Sequence, residues 1–145
     1  MLSRLTWAIL WALAGTFTII ASLFYVGAGS EFARGLRGPV FLASSGVVLF
    51  SLGITLIFLT VKEKAGGMLR TFLLMTGAAA AAIPVSFILH NAVYGIFIHW
   101  FGVDFWDRVG LGNEPFFFSI AILVCPAAFW VGVVGSIFLA MRRSA

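Results

Sequence analysis

Apolar residues run almost unbroken through four stretches of the chain, residues 5–28, 40–61, 71–98 and 116–141, and none of these stretches contains Lys, Arg, Asp or Glu. A helix rises ~1.5 Å per residue, so about 20 apolar residues cross ~30 Å of hydrocarbon. Each stretch reaches that length. Two starts are chemically marked: Gly38-Pro39 before the second stretch and Asn113-Glu114-Pro115 before the fourth. Proline suits a first helical turn because the N–H it lacks would have no partner there. The connections at 29–39, 62–70 and 100–115 are short hairpin loops with no room for a second domain. The pattern predicts an all-α integral membrane protein, a single domain over residues 1–145 with four transmembrane helices in an up-down bundle.

The first stretch has a second reading. Arg4, an apolar run and Val26-Gly27-Ala28 together resemble a secretory signal with a small-residue cleavage site. A signal core holds ~7–15 apolar residues and this run is longer, so an uncleaved helix is expected.

Composition agrees with the pattern: 62% of the 145 residues are hydrophobic and 10% are charged. Soluble domains carry about 25% charged residues, so this chain cannot cover a water-soluble globule. The net charge is +4, but the nine basic residues are scattered singly and in pairs. No basic patch with interleaved aromatics exists, so nucleic acid is not an expected partner. The charges orient the helices instead. Arg4, Lys62, Lys64, Arg70, Arg142 and Arg143 fall on one side, against Arg34, Arg37 and Arg108 on the other. Six against three places both termini in the cytoplasm, with a plasma (inner) membrane location. Tyr25, Tyr94, Trp100, Trp106 and Phe116 to Phe118 then form an outer aromatic belt, and Trp7 and Trp11 an inner one. With one cysteine, Cys125, the chain forms no internal disulfide.

Turning each helix by ~100° per residue exposes a stripe of small residues on every one. Ala8, Ala12, Gly15 and Ser22 align on the first, and Gly46 and Gly53 on the second. On the third, Thr76, Ala79, Ser86 and Tyr94 share the face of His90, interrupted by Ile83. On the fourth, Ala121, Cys125, Ala128, Gly132 and Ser136 align. Small residues let membrane helices approach closely enough for dispersion and hydroxyl hydrogen bonds to hold them. Gly15, Gly46, Gly53, Ala128 and Gly132 are therefore the expected packing positions. One or two of the stripes are also free to dock on another protein. Pro84 and Pro126 are expected to kink the third and fourth helices without further role.

Candidate chemistry is confined to histidine, because an ionisable group within a membrane span is a functional hypothesis by default. His90 shares a face with Ser86 and Tyr94 and is expected to point into protein and be hydrogen-bonded; His90 and Tyr94 form the candidate ligand or proton site. His99 follows by nine residues, half a turn out of phase, so a continuous helix puts it on the opposite face. Only a break at Gly95, folding 96–106 back along the membrane, would gather His90, His99, Asp104, Asp107 and Glu114 into a nitrogen and oxygen ligand set. No metal-binding, nucleotide or hydrolase spacing supports that arrangement. No cofactor is expected. Three functions remain: a non-catalytic accessory or assembly subunit of a larger membrane complex, a small oligomeric transporter or channel, and an outer-face enzyme or metal/cofactor site around His90 and the third loop. The first is the leading expectation, with the bilayer and partner subunits or further copies of the chain as partners.

Overall fold

The computed structural model describes residues 2–25 and 38–144. Expectations that fall on residues 26–37, including Arg34 and Arg37, and on the side chain of Tyr25 lie outside the described residues. Described residues form α1 (Arg4–Tyr25), α2 (Pro39–Lys62), α3 (Gly67–Phe101), a short α4 (Phe105–Arg108), and a final helix in three parts: α5 (Pro115–Ser119), a π-helical turn (Ile120–Val124) and α6 (Cys125–Ser144). Among them are four helical runs long and apolar enough to cross a membrane. The described residues hold helices and no strand, and the four apolar runs mark a multi-pass membrane protein.

The local chemistry of the helix ends follows the sequence. Gly38 is extended and Pro39 begins α2. At its other end the Lys64 N–H donates to the Val61 carbonyl at 3.1 Å and the Ala65 N–H to the Thr60 carbonyl at 3.2 Å. These two crossed bonds are a Schellman stop, which requires a left-handed residue. Lys64 occupies that position with φ of 51°, where glycine is usual. The α2–α3 connection is therefore only four residues, and α3 begins earlier than hydropathy alone places it. It also runs through Gly95 without a break and stops at Gly102, whose φ of 98° turns the chain in a way closed to L side chains. The alternative fold-back at Gly95 does not occur: nothing interrupts the ladder there, and the reversal comes seven residues later.

The π turn has a cause in Pro126. Its ring has no N–H for the Ile122 carbonyl and would press against it in a regular α-helix. The turn before it widens, with the Cys125 N–H reaching back to the Ile120 carbonyl.

The core is built from Leu10, Leu13 and Phe17 of α1, Leu49 and Leu56 of α2, Leu69 and Leu73 of α3, and Phe129 and Val133 of α6. Phe17 stacks on Phe129 with centroids 4.3 Å apart, joining α1 to α6. Elsewhere the helices meet through small residues. A methyl group placed on Gly53 would lie 2.6 Å from the Gly77 carbonyl oxygen, and one on Gly132 would lie 2.8 Å from the Phe72 carbonyl and also meet the Thr76 hydroxyl. Gly46 faces Pro84, where an added methyl would sit 3.2 Å from its Cβ, so the glycine makes room for the proline ring. Ala128 packs against the core cluster from partly buried. Backbones this close gain dispersion along their whole length, which is what holds helices together where lipid offers no hydrophobic drive.

Gly15 behaves differently. It is exposed, and a methyl group there would meet nothing within 4 Å. The other members of its stripe, Ala8, Ala12 and Ser22, are exposed too. Leu10, Leu13, Ala14 and Phe17 of α1 fill the core, and this stripe lies on the outward side with the exposed Trp11 and Ile19. Three stripes turn inward and the fourth does not, so the expectation that Gly15 packs within the chain is corrected.

Candidate functional site

Two polar clusters hold the ends of the bundle. At the end where α3 stops, Asn113-Glu114-Pro115 acts as the start signal of α5. The Glu114 carboxylate accepts from the Phe116 N–H at 2.7 Å and the Phe117 N–H at 3.1 and 3.2 Å, capping orphan donors at the helix start. The Asn113 side chain accepts from the Glu114 N–H at 2.9 Å. His90 reaches this cap from α3. Its Nδ1 lies 3.1 Å from Glu114 Oε2 and 3.1 Å from the Glu114 carbonyl oxygen.

Both partners of Nδ1 are oxygens without a proton, so Nδ1 is the nitrogen that carries hydrogen. In the neutral ring the lone pair is then on Nε2. Glu114 is 3% exposed. Burial pushes its carboxyl upward, yet the bond from His90 and the backbone N–H groups of Phe117, Phe116 and Phe118 outweigh this and hold it below the ordinary 4.5.

Aromatic rings continue the cluster along α3. Tyr94 lies 6.4 Å from the His90 ring and 5.9 Å from Trp106, nearly parallel to the latter at 8°. The Trp106 indole N–H donates to the Tyr94 carbonyl at 3.3 Å. Trp106 is 7% exposed, so it is an anchor for the α4 turn and not the lipid-facing belt residue the sequence suggested. Phe118 contacts His90 at 5.6 Å. His90 is thus held in protein, with Tyr94 beside it as a stacked ring.

The remaining residues of the fold-back set stay apart. His99 is exposed on the opposite side of α3. Asp104 pairs with Arg108 at 3.4 Å, and Arg108 also donates to the Phe101 carbonyl. Among the described residues no group of three or more His, Cys, Asp or Glu side chains is placed to hold a metal ion. The site presents one imidazole, oriented by a buried carboxylate.

The second cluster was not legible beforehand. Glu63, at the end of α2, accepts from the Ser3 N–H at 2.8 Å, from the Ser3 hydroxyl, and from the fully buried Thr6 hydroxyl at 2.8 Å. Ser3 in turn caps the Thr6 N–H at 3.2 Å. A carboxylate from one helix therefore closes the positive start of another. The Ser3 hydroxyl and N–H hold the Glu63 carboxyl below its ordinary value, with smaller help from Thr6 and Lys62. Nothing local in the sequence around Ser3 and Thr6 points to a partner sixty residues away.

In the helix interiors, Thr60 and Thr76 return their hydroxyls to carbonyls one turn back, at 2.7 and 2.9 Å. Two apolar hollows open sideways between helices, one at Thr16, Ile20 and Ser45, the other at Phe72, Trp130 and Gly135. Comparison of the chain with family models, with curated proteins and with solved structures finds no match.

Proposed function

We propose that the chain is a non-catalytic accessory or assembly subunit of a larger membrane complex, and that α1 is the helix it offers to its partner. One observation supports this reading above the others: the Ala8, Ala12, Gly15 and Ser22 stripe of α1 faces outward, beside the exposed Trp11 and Ile19, while every other small-residue stripe is used inside the bundle. A helix whose only neighbour is lipid gains nothing from that arrangement, whereas a second helix can approach such a face closely. The interior polar groups fit the same reading. Glu114 and Glu63 cap helix starts, and His90 is tied to Glu114, so both clusters hold the fold together.

In this reading the bundle is up-down, with both termini and the Lys62 to Arg70 turn in the cytoplasm of a plasma (inner) membrane, as the six-against-three division of basic residues favours. The test is purification of the chain from its own membrane in mild detergent. A different chain retained in fixed stoichiometry supports the proposal; a homogeneous self-oligomer or monomer rejects it.

A second reading has one specific observation in its favour. The His90 ring, fixed through Nδ1 by a carboxylate, is the arrangement by which proteins orient an imidazole for a ligand at Nε2. An absorption spectrum and metal analysis of the pure protein test it, and a spectrum free of any bound group with no metal above background rejects it.

A further inference from the structure

Helix α3 is longer than the bundle it belongs to. Its 35 residues extend about 52 Å, against about 36 Å for the 24 residues of α2. The contacts set where its neighbours begin. Gly46 meets Pro84, and Pro39 lies seven residues further along α2, so α2 starts beside about residue 91 of α3. The bond between His90 and Glu114 puts the start of α5 at the same level. The last ~10 residues of α3 therefore rise ~15 Å beyond both neighbours.

At the top, Gly102 reverses the chain and α4 folds back down the helix, where Trp106 is buried on Tyr94 and Phe97. The arm is a stiff hairpin with an aromatic inside. Its outside carries large apolar residues, Trp100 71% exposed, Val103 83% and Leu111 54%, among the exposed His99, Asp104, Asp107 and Arg108. Asp104 and the Phe101 carbonyl engage the Arg108 guanidinium.

The bilayer explains both the length and the surface. Hydrocarbon is ~30 Å thick, and the headgroup layers bring the whole to about 40–45 Å. Tilted by ~30°, within the usual range, α3 projects onto ~45 Å. It matches the bilayer with its headgroups, where α2 matches little more than the hydrocarbon. Trp and Tyr gather in the headgroup layer because their rings are apolar with a polar edge.

We propose that residues 91–112 form an interfacial arm seated in the headgroup layer, with Trp100, Val103 and Leu111 exposed to the lipid headgroups. The partner is the lipid surface itself. Because Arg108 is engaged within the arm, seating does not depend on anionic lipid. This rests on the membrane-spanning reading of α3 and its neighbours.

The experiment uses the full chain in phosphatidylcholine vesicles, with Cys125→Ala and one spin label at a time on Val103→Cys, Leu111→Cys or Val131→Cys. Collision with oxygen and with a water-soluble nickel chelate reports depth. Oxygen should dominate at position 131, and positions 103 and 111 should give intermediate ratios typical of headgroups. Those ratios should not change with added phosphatidylglycerol or with a tenfold rise in lipid-to-protein ratio. A water-like ratio at 103 and 111 would overturn the arm while leaving the spans in place, and would mark the tip as a surface for a soluble protein. Exclusion of both reagents, or dependence on lipid-to-protein ratio, would overturn it in favour of a second copy. Dependence on anionic lipid would overturn it too. A water-like ratio at 131 would remove the spanning reading and the arm with it.

Discussion

Replacing glycine by alanine at Gly53 and at Gly15 should have opposite effects, although the chemical change is the same. In a helix the substitution alone stabilises by about 0.5–1 kcal/mol, because alanine has less backbone freedom to lose. At Gly15 that is the whole effect, since the new methyl group meets nothing within 4 Å. At Gly53 the methyl would lie 2.6 Å from the Gly77 carbonyl oxygen and 3.0 Å from the Ala81 nitrogen. Both are backbone atoms, so no rotamer change relieves the overlap and α2 and α3 must separate. Overpacking of this kind costs about 1–3 kcal/mol. The net expectation is a loss of ~1–2 kcal/mol for Gly53→Ala. Thermal unfolding of both variants in one mild detergent measures it: the Gly53 variant should melt below wild type and the Gly15 variant at or slightly above it. A Gly53→Ala protein as stable as wild type would refute the close α2–α3 contact on which the bundle is built.

Gly132→Leu should be worse than Gly53→Ala, because leucine there meets the Phe72 carbonyl and Thr76 together; unchanged thermal stability would contradict that contact. His90→Phe leaves the buried Glu114 carboxylate short of a hydrogen bond and should cost about 1–3 kcal/mol, whereas His99→Phe on the exposed face should be nearly silent; equal melting of the two refutes the assignment. The Glu114 and Glu63 carboxyls lie below 4.5 in the folded chain, so the stability they contribute is complete above that pH and is lost as pH falls through their lowered values. Melting temperature should accordingly be flat from pH 7 to about 5 and fall below 4.5, with a shallower fall in Glu114→Gln; an unaltered acid limb in that variant would show the carboxyl is not responsible. Single cysteines at Gly66 and Asp107, in a Cys125→Ala background, should label from opposite sides of the membrane, and labelling of both from one side would end the proposed topology.

The spans were legible because their signal is cumulative: about twenty apolar residues without a charge are long enough to cross the hydrocarbon. Their ends were less so. Hydropathy stopped the third span short of His99 and Trp100, but backbone hydrogen bonding does not stop at a polar side chain, and the helix continues until Gly102 turns it. The face of each stripe was readable and its direction was not. A row of small residues has the same periodicity whether it meets a neighbour, as Gly53 and Gly132 do, or faces outward, as Gly15 does. Candidate chemistry divided the same way. His90 stood out as the ionisable residue of a span, and Glu114 as a helix start, but their pairing is set by how far α3 rises beside α5. The grip of Glu63 on Ser3 and Thr6 is a tertiary contact between the two helix ends and has no local signature.

The role assigned to α1 is tested most directly by the mass of the native assembly, measured for wild type and for Gly15→Leu extracted in the same mild detergent. Wild type should carry a different chain in fixed stoichiometry, and Gly15→Leu should lose it while keeping its fold, since the first side-chain carbon at that position meets nothing within 4 Å. An assembly mass that is the same for both, or a wild type that contains only copies of itself, would contradict the assignment.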